Sequence, residues 1–192
     1  MLVLVPEIGL TPQMIDRFGK RVNGRVVAVH SQLNETQKQD AYLMAKSGEA
    51  KVVLGTRSAI FTSLPNLGLI IVDEEHDGSF KQQSNFRYSA RDLSFIRAKL
   101  ANIPLILGTA TPSLETLKNV ADKKLTKLVL NNRPGNAIMP DVNLIDMRSQ
   151  PVEALSNPLV AKIKHYLKED KQVMLFINLS LIHISEPTRR RG

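Results

Sequence analysis

Short apolar runs alternate with segments of helical composition through the first part of the chain. The apolar runs predict strands at residues 2–5, 25–30, 51–55, 67–73 and 105–108, and the segments between them predict helices at about 13–20, 36–47, 89–100 and 112–120. Continuously apolar strands are typical of a parallel sheet that is buried on both faces. Because strand and helix alternate, the fold class we expect is α/β, a parallel sheet with helices on both faces.

The pattern becomes less regular after residue 120. Residues 127–130 and 142–145 are candidate edge strands, and a helix at about 158–170 precedes a strand at 172–177. We interpret this last helix and strand as the opening of a second domain. The predicted division is therefore a first domain at 1–150, the start of a second at 151–178, and a tail at 179–192.

The chain is basic, with a net charge of +8 and a pI near 9.8. The tail at 179–192 resembles translated sequencing-adapter DNA, and its three arginines and one glutamate carry +2 of this charge, which leaves +6. A basic surface favours a polyanionic partner such as nucleic acid, although a solvated basic surface without that function is equally common. We leave the tail out of the functional argument.

Composition disfavours several kinds of site and location. The chain has no cysteine, and no two of its four histidines stand four residues apart, so we do not expect a zinc site. No apolar run reaches the roughly 18 residues that span a bilayer, and the N-terminus has no basic stretch or cleavage site of a signal peptide. We therefore expect a cytoplasmic protein that does not enter the membrane.

Consecutive acids follow the most apolar predicted strand, in the order Asp73, Glu74, Glu75 and then His76. Ligands of open α/β sheets bind at the carboxyl ends of the strands. Neighbouring carboxylates repel one another unless a cation compensates, and Mg²⁺ is suitable. In nucleotide hydrolysis the first carboxylate holds metal-bound water and the second orients the attacking water. The alternative is a strand that ends in a solvated acidic turn.

Small hydroxyl residues end the next strand at 107–113. A proline opens a helix there, and Thr111 or Ser113 is placed to accept hydrogen bonds from free helix amides. This N-cap explanation is sufficient by itself. A functional interpretation adds that hydroxyls beside the acids couple a nucleotide site to another surface of the protein.

Aromatic residues make up only 5% of the chain, yet three lie within nine positions after the acidic run. The aromatics and the interleaved cations are Phe80, Lys81, Phe86, Arg87, Tyr88 and Arg91. Aromatic rings stack on unpaired bases while cations follow the phosphates. The alternative is that Phe80 and Phe86 fill the core beneath a long loop and the charges are solvated.

Four motifs occur in the order and spacing of superfamily-two helicases, the DEAD/DEAH-like motors. They are VPEIGLTPQ at 5–13, LGTRSAIF at 54–61, DEEHD at 73–77 and GTATPSLE at 108–115. Together they resemble the PriA family of replication-restart DNA helicases, and the resemblance extends over about residues 2–178. It implies a RecA-like first motor lobe, followed by the first helix and strand of the second lobe.

The resemblance also implies roles for individual residues. Asp73 would be the carboxylate that holds Mg²⁺ through water, and Glu74 would activate or orient the hydrolytic water. The residues that would link hydrolysis to movement of the DNA strand are His76, Gly108, Thr109 and Thr111. Thr56, Arg57 and Ser58 match the segment that contacts the nucleic-acid backbone. Without the resemblance, a surface salt bridge is the simpler explanation of Arg57. The segment at 77–91 is similar to the aromatic-rich loop with which related helicases sense single-stranded DNA.

For the parent protein, the resemblance implies ATP-driven 3′-to-5′ DNA unwinding in replication restart and primosome assembly. ATP and Mg²⁺ would be the cofactors, and the partners would be single-stranded and forked DNA, the single-stranded-DNA-binding protein and primosome components. The family's zinc-binding region is absent from this sequence. So is any Gly-Lys-Ser/Thr phosphate-binding loop. We expect a fragment that is inactive alone; the alternatives are a non-catalytic DNA-binding fragment, a related superfamily-two translocase or an RNA helicase.

Overall fold

The computed structural model describes residues 1–6, 12–132, 140–148 and 155–176. The chain divides into two compact units, Met1–Val129 and Leu130–Gly192. The predictions for the tail at 179–192 and for residues 7–11 of the first helicase-like motif lie outside the described residues. No helix in the part of the chain that the structure describes is long and apolar enough to cross a membrane.

The described residues of the first unit form a five-stranded parallel sheet and four α-helices. The strands are β1 (Leu2–Leu4), β2 (Arg25–Val29), β3 (Ala50–Gly55), β4 (Ile70–Val72) and, after a short antiparallel hairpin of β5 (Lys81–Gln82) and β6 (Tyr88–Ser89), β7 (Leu105–Leu107). The helices are α1 (Pro12–Arg21), α2 (Glu35–Ser47), α3 (Ala90–Ala101) and α4 (Leu114–Ala121). Two short 3₁₀ helices lie at Arg57–Phe61 and Gly78–Phe80.

The strand order is β2-β3-β1-β4-β7, and all neighbours in it are parallel. β1 is central, with Leu4 in register with Gly55 on one side and with Val72 on the other. Val72 is in turn paired with Leu107. The carboxyl ends of β3, β4 and β7 therefore lie along one edge, and the residues that follow them are brought together there.

Successive strand residues point to opposite faces of the sheet. Both faces of this sheet are apolar, and each is covered by helices. Leu2, Leu4 and Ile70 belong to a cluster that includes alanines of α2 and α3. Val3 and Val5 belong to a second cluster with the apolar side of α1. The predicted α/β fold class, a RecA-like sheet with helices on both faces, is confirmed.

The helix ends follow from local hydrogen bonding. Asn34 caps α2 through a reciprocal pair of bonds with Gln37, and Gly48 ends it with φ of 80°. Ser89 and Ser113 accept from backbone amides at the starts of α3 and α4. The N-cap role predicted for Ser113 is confirmed.

The predicted strands in the less regular part of the chain are wrong. Residues 127–130 and 142–145 are not part of any strand, and neither are 172–176, while Ile177 lies outside the described residues. A strand needs a hydrogen-bonding neighbour and a surface to cover its apolar face. Here Leu130 is 97% exposed and Leu144 96%. In the second unit, α5 (Asn157–Lys168) forms as predicted, with Ser156 as its cap.

Candidate functional site

The acidic run begins one residue beyond β4, and its backbone remains attached to the neighbouring strand ends. The amide of Asp73 donates to the carbonyl of Leu4 at 2.9 Å, and the amide of Glu75 donates to the carbonyl of Gly108 at 3.1 Å. Gly108 itself donates to the carbonyl of Val72 at 2.8 Å. The acids are therefore held at the sheet edge by main-chain bonds from both sides.

Asp73 is partly buried and faces Gly108. A Cβ atom at position 108 would lie 3.2 Å from Oδ1 of Asp73, so glycine keeps the space beside this carboxylate open. Oδ1 accepts a hydrogen bond from the amide of Glu74 at 3.1 Å. Within the described residues the second oxygen, Oδ2, accepts no hydrogen bond, which leaves it available to water or a cation.

This environment is suitable for a magnesium ion that is held largely by water and phosphate oxygens. Mg²⁺ commonly binds proteins through one or two carboxylates and keeps several waters. In the described ranges, no group of three or more histidine and acidic side chains is arranged to hold a metal ion. A single carboxylate with an open oxygen, as at Asp73, fits the first arrangement.

Glu74 has a left-handed backbone, with φ of 49°. A non-glycine residue in this region carries a cost of about 1 kcal/mol or more, and such strain is concentrated at functional sites. Its side chain is 47% exposed. The turn is therefore maintained against local preference at the residue predicted to act on water.

His76 is bonded on both ring nitrogens to the segment that follows β7. Its Nδ1 lies 2.8 Å from Oγ1 of Thr109, and its Nε2 lies 3.3 Å from Oγ1 of Thr111. A neutral imidazole meets both hydroxyls, since one nitrogen donates and the other accepts. Oγ1 of Thr109 also accepts from the amide of Thr111 at 3.1 Å. The structure thus brings His76, Thr109 and Thr111 together; their role stays a prediction.

Glu75 is the residue of the acidic run that the sequence analysis gave no role. Its side chain is fully buried, and Oε1 accepts from the Ser113 amide at 2.8 Å. Its Oε2 accepts from Oγ of Ser113 at 3.0 Å and from Nη1 of Arg91 at 3.3 Å. Burial alone would raise the pKa of Glu75, but the hydrogen bonds from Ser113, Thr116 and Arg91 outweigh it and lower that pKa.

Arg91 was predicted to bind nucleic acid, and its position in the structure contradicts that prediction. Its side chain is only 10% exposed. Besides Glu75, the guanidinium donates to Oγ of Ser113 at 2.9 Å and to Oδ1 of Asp92 at 3.0 Å. With these bonds made, the cation is not placed to follow a phosphate backbone.

Phe80 and Phe86 have opposite environments. Phe80 is 1% exposed and belongs to the main core cluster, so the prediction that it stacks on bases is wrong and the core alternative is correct. Phe86 is 75% exposed, between the two strands of the β5–β6 hairpin. The core alternative is therefore wrong for Phe86.

A surface formed by Arg57, Phe61, Phe86 and Tyr88, here called the arginine–aromatic surface, lies on the same unit. The Tyr88 ring is 5.0 Å from Phe61, edge to face, and 6.0 Å from Phe86. Nη1 of Arg57 donates to the carbonyls of Ser79 and Lys81 at 3.0 and 3.2 Å. Arg57 makes no ion pair in the described part of the chain, contrary to the surface salt bridge considered above.

A cavity of about 340 Å³ opens on this surface. It is lined by Ser31, Thr56, Arg57, Ser58, Gln82, Asn85, Phe86 and Tyr88. Thr56 is buried, whereas Ser58, Lys81 and Arg87 are exposed. Phe61 and the polar residues at 31, 82 and 85 were missed by sequence reasoning, because only the fold brings them beside the motif at 56–58.

Comparisons with known proteins bear on the family to which the chain belongs. A sequence model of the DEAD/DEAH box helicase family matches residues 1–120. The chain is similar to the replication restart protein PriA of Haemophilus influenzae, with 48% identity over 93% of this chain and 24% of the relative. For the proteins of the same name from Synechocystis sp. and Bacillus subtilis the identity is 45% and 39%, over 93% and 92% of this chain and 22% of each relative. The chain thus spans about a quarter of the length of these relatives.

Proposed function

The chain belongs to the DEAD/DEAH box helicase family, and on that premise we propose that it forms most of the first motor lobe of a replication-restart DNA helicase. The observation that carries the proposal is the pair of hydrogen bonds between His76 and the hydroxyls of Thr109 and Thr111. They join the acidic motif to the tip of the neighbouring strand, at the sheet edge where ligands of this fold class bind. The domain division at 1–150 and 151–178, with a non-native tail, is part of the proposal.

The nucleotide site would be ATP bound against Asp73 and Glu74. Mg²⁺, held by Asp73 through water, would supply charge neutralisation at the phosphates. Glu74 would orient the attacking water and accept its proton. Its left-handed backbone sets the direction in which the side chain leaves the main chain. Because no Gly-Lys-Ser/Thr loop occurs in this sequence, these residues form only part of a nucleotide site.

Coupling would pass through His76. Its imidazole is located between the hydroxyls of Thr109 and Thr111 and would therefore move with the segment at 108–113. A change in the phosphates at Asp73 would then alter this segment, and with it the contacts that the lobe makes elsewhere. In this way His76 and the segment at 108–113 would link ATP hydrolysis to movement of the DNA strand.

Nucleic acid would bind on the arginine–aromatic surface. Phe86 and Tyr88 offer ring faces for unpaired bases, and stacking of this kind contributes about 1–3 kcal/mol per base. The cavity beside them, about 340 Å³, lies in the size range of ligand sites. Arg57 and Ser58 would contact the backbone, with Lys81 and Arg87 nearby as exposed cations.

For the whole protein, we propose ATP-driven 3′-to-5′ unwinding of DNA in replication restart, with forked and single-stranded DNA as the nucleic acids that it binds. The names of the similar proteins support the role in replication restart. Single-stranded-DNA-binding protein and primosome components would be its partners. An RNA helicase or another superfamily-two translocase is the alternative. Fluorescence anisotropy of the chain with forked DNA, single-stranded DNA and RNA separates them, since a preference for RNA contradicts our proposal.

A chimera tests the catalytic part of the proposal. Residues 1–176 would replace the matching segment of the Haemophilus influenzae protein, and DNA-stimulated ATP hydrolysis would be measured. We expect activity to be retained, and Asp73→Asn to lower kcat by a factor of about 100 or more, since charge stabilisation at a phosphate is lost. Asp40→Asn makes the same chemical change at an exposed position of α2 and should have little effect.

Two results would contradict this assignment. One is a folded chimera that binds DNA but hydrolyses no ATP, which favours a non-catalytic DNA-binding segment. The other is an Asp73→Asn chimera that is as active as its parent. Separately, we propose that the purified 192-residue chain does not hydrolyse ATP alone. Measurable DNA-stimulated hydrolysis by that chain would disprove this last point.

A further inference from the structure

Arg97 on α3 is a half-buried cation that is bonded to main-chain carbonyls. Its Nη1 donates to the carbonyl of Ile60, and its Nη2 donates to the carbonyl of Thr62 at 2.7 Å. Throughout the described ranges it forms no ion pair with a carboxylate. Burial lowers the pKa of Arg97, as expected for a cation without a compensating acid.

Placing such a cation beside a turn costs desolvation energy, which the carbonyls must offset. Both carbonyls lie at the carboxyl end of the 3₁₀ helix Arg57–Phe61, where unpaired carbonyls carry partial negative charge. A guanidinium fork reaches two of them at once, whereas the ammonium of lysine acts as a point charge. Arg97 therefore stabilises one particular geometry of the segment at 57–62.

The two ends of that segment belong to the arginine–aromatic surface. Arg57 opens the short helix and is bonded to the carbonyls of Ser79 and Lys81, while Phe61 closes it and contacts Tyr88. Phe61 remains 57% exposed. Arg97 thus holds, from beneath, a helix whose first and last residues are both on the surface.

We propose that Arg97 is a positioning residue for nucleic-acid binding: it makes no contact with the nucleic acid and fixes Phe61, and through it the Tyr88 ring, in the arrangement that binds it. Arg57 is held separately, by the carbonyls of Ser79 and Lys81. This inference rests on the proposed function of the arginine–aromatic surface. It predicts a characteristic salt dependence. Removing a residue that contacts a phosphate lowers the slope of log Kd against log salt by about 0.7 for single strands. Removing a positioning residue weakens binding equally at every salt concentration.

The test uses the full chain with fluorescein-labelled oligothymidylate at three salt concentrations. Arg97→Met is compared with Lys99→Met, which removes the same charge from an exposed position of the same helix. We expect Arg97→Met to raise Kd about tenfold, of the order of one lost stacking interaction, with an unchanged slope. Arg97→Lys should raise it by a smaller factor, and Lys99→Met should stay within about twofold of wild type.

Hydrogen exchange gives a second readout. The amides of Ala59 and Thr62 donate to the carbonyls of Thr56 and Ala59 at 2.9 and 3.0 Å, and both should exchange faster in Arg97→Met than in Lys99→Met. If Arg97→Met does not fold, Arg97→Lys takes its place, and a wild-type Kd for that variant would overturn the inference.

The remaining outcomes separate the inference from the proposed function. If Arg97→Met folds and binds as tightly as Lys99→Met, the positioning role is wrong while the surface remains. A loss of affinity together with a lower salt slope makes Arg97 a direct phosphate contact and also overturns it. If the wild-type chain itself does not bind the oligonucleotide, the proposed surface is wrong and the inference is wrong with it.

Discussion

The acidic tip, formed by residues 73–76 with 108–113, and the arginine–aromatic surface belong to one unit but are built in opposite ways. At the tip, polar side chains are bonded to one another: His76 to two threonines, and Glu75 to Ser113 and Arg91. At the surface, the ring of Phe86 is largely exposed and lies 6.0 Å from the ring of Tyr88.

This contrast matches what each region would have to do. Phosphoryl transfer depends on groups held in fixed positions, and interlocked hydrogen bonds supply that. Stacking on unpaired bases tolerates any base, so exposed rings on a firm support are sufficient. At the tip, hydrogen bonds therefore hold the polar side chains directly. At the surface, we propose that the support comes from Arg97 and from the carbonyls that accept hydrogen bonds from Arg57.

The largest expected difference within this comparison is between two phenylalanines. Phe80→Ala should lower the free energy of unfolding by about 3–5 kcal/mol, because it empties a core position. Phe86→Ala should change stability by no more than about 0.5 kcal/mol but weaken single-stranded DNA binding by about 1–3 kcal/mol. Urea unfolding and anisotropy measure the two effects. Equal losses of stability would remove the distinction between core and surface.

Glu75→Gln breaks the tip at its buried centre. We expect the free energy of unfolding to fall by about 2–3 kcal/mol. The hydrogen bonds from Ser113 and Arg91 would then go to a neutral amide instead of a carboxylate, and the guanidinium would lose its buried counter-ion. Glu115→Gln is the matched control, because Glu115 is 61% exposed and lies 3.9 Å from the same guanidinium. It should stay within about 0.5 kcal/mol of wild type. If both variants lose stability equally, the burial of Glu75 has no energetic weight.

The pH dependence of stability isolates part of the same energy. The pKa of Glu75 is lower in the folded chain than in the unfolded chain, so its contribution is complete above its ordinary pKa, roughly 4, and is lost as pH falls through the folded value. Wild type should therefore lose stability more steeply than Glu75→Gln between about pH 5 and pH 3. Thermal unfolding across that range is the measurement, and parallel curves would contradict the prediction.

The smallest effect has the opposite sign. Glu74→Gly should raise the free energy of unfolding by about 0.5–1 kcal/mol, since glycine adopts φ of 49° without strain, although its greater unfolded-state freedom offsets part of the gain. In the chimera the same change should abolish ATP hydrolysis. Glu74→Ala separates the causes, because it removes the carboxylate without relieving the backbone. A destabilised glycine variant would show that the turn carries no strain.

Local pattern predicted the sheet and the position of the tip, because apolar runs and helix caps depend on near neighbours. It could not pair Glu75 with Arg91, which lie 16 residues apart and meet only through the fold. Phe80 and Phe86 are the same residue type six positions apart, and they differ because Phe80 ends a 3₁₀ helix that packs on the core whereas Phe86 lies between the two hairpin strands. The strands predicted at 127–130 and 142–145 were wrong because an apolar run forms a strand only where the fold places a hydrogen-bonding neighbour beside it, and the local sequence does not reveal that neighbour.

Helix α3 carries the buried Arg91 in its first turn and the half-buried Arg97 six residues later. At a rise of 1.5 Å per residue these positions are about 9 Å apart along the axis, a separation set by the helical hydrogen bonds themselves. One arginine is anchored on the acid of the tip and the other on the turn beneath the aromatic rings. The helix thus keeps the two arginines at a fixed separation. Inserting or deleting one residue between them would shift one arginine relative to the other, and so disturb one of the two regions without altering a residue of either.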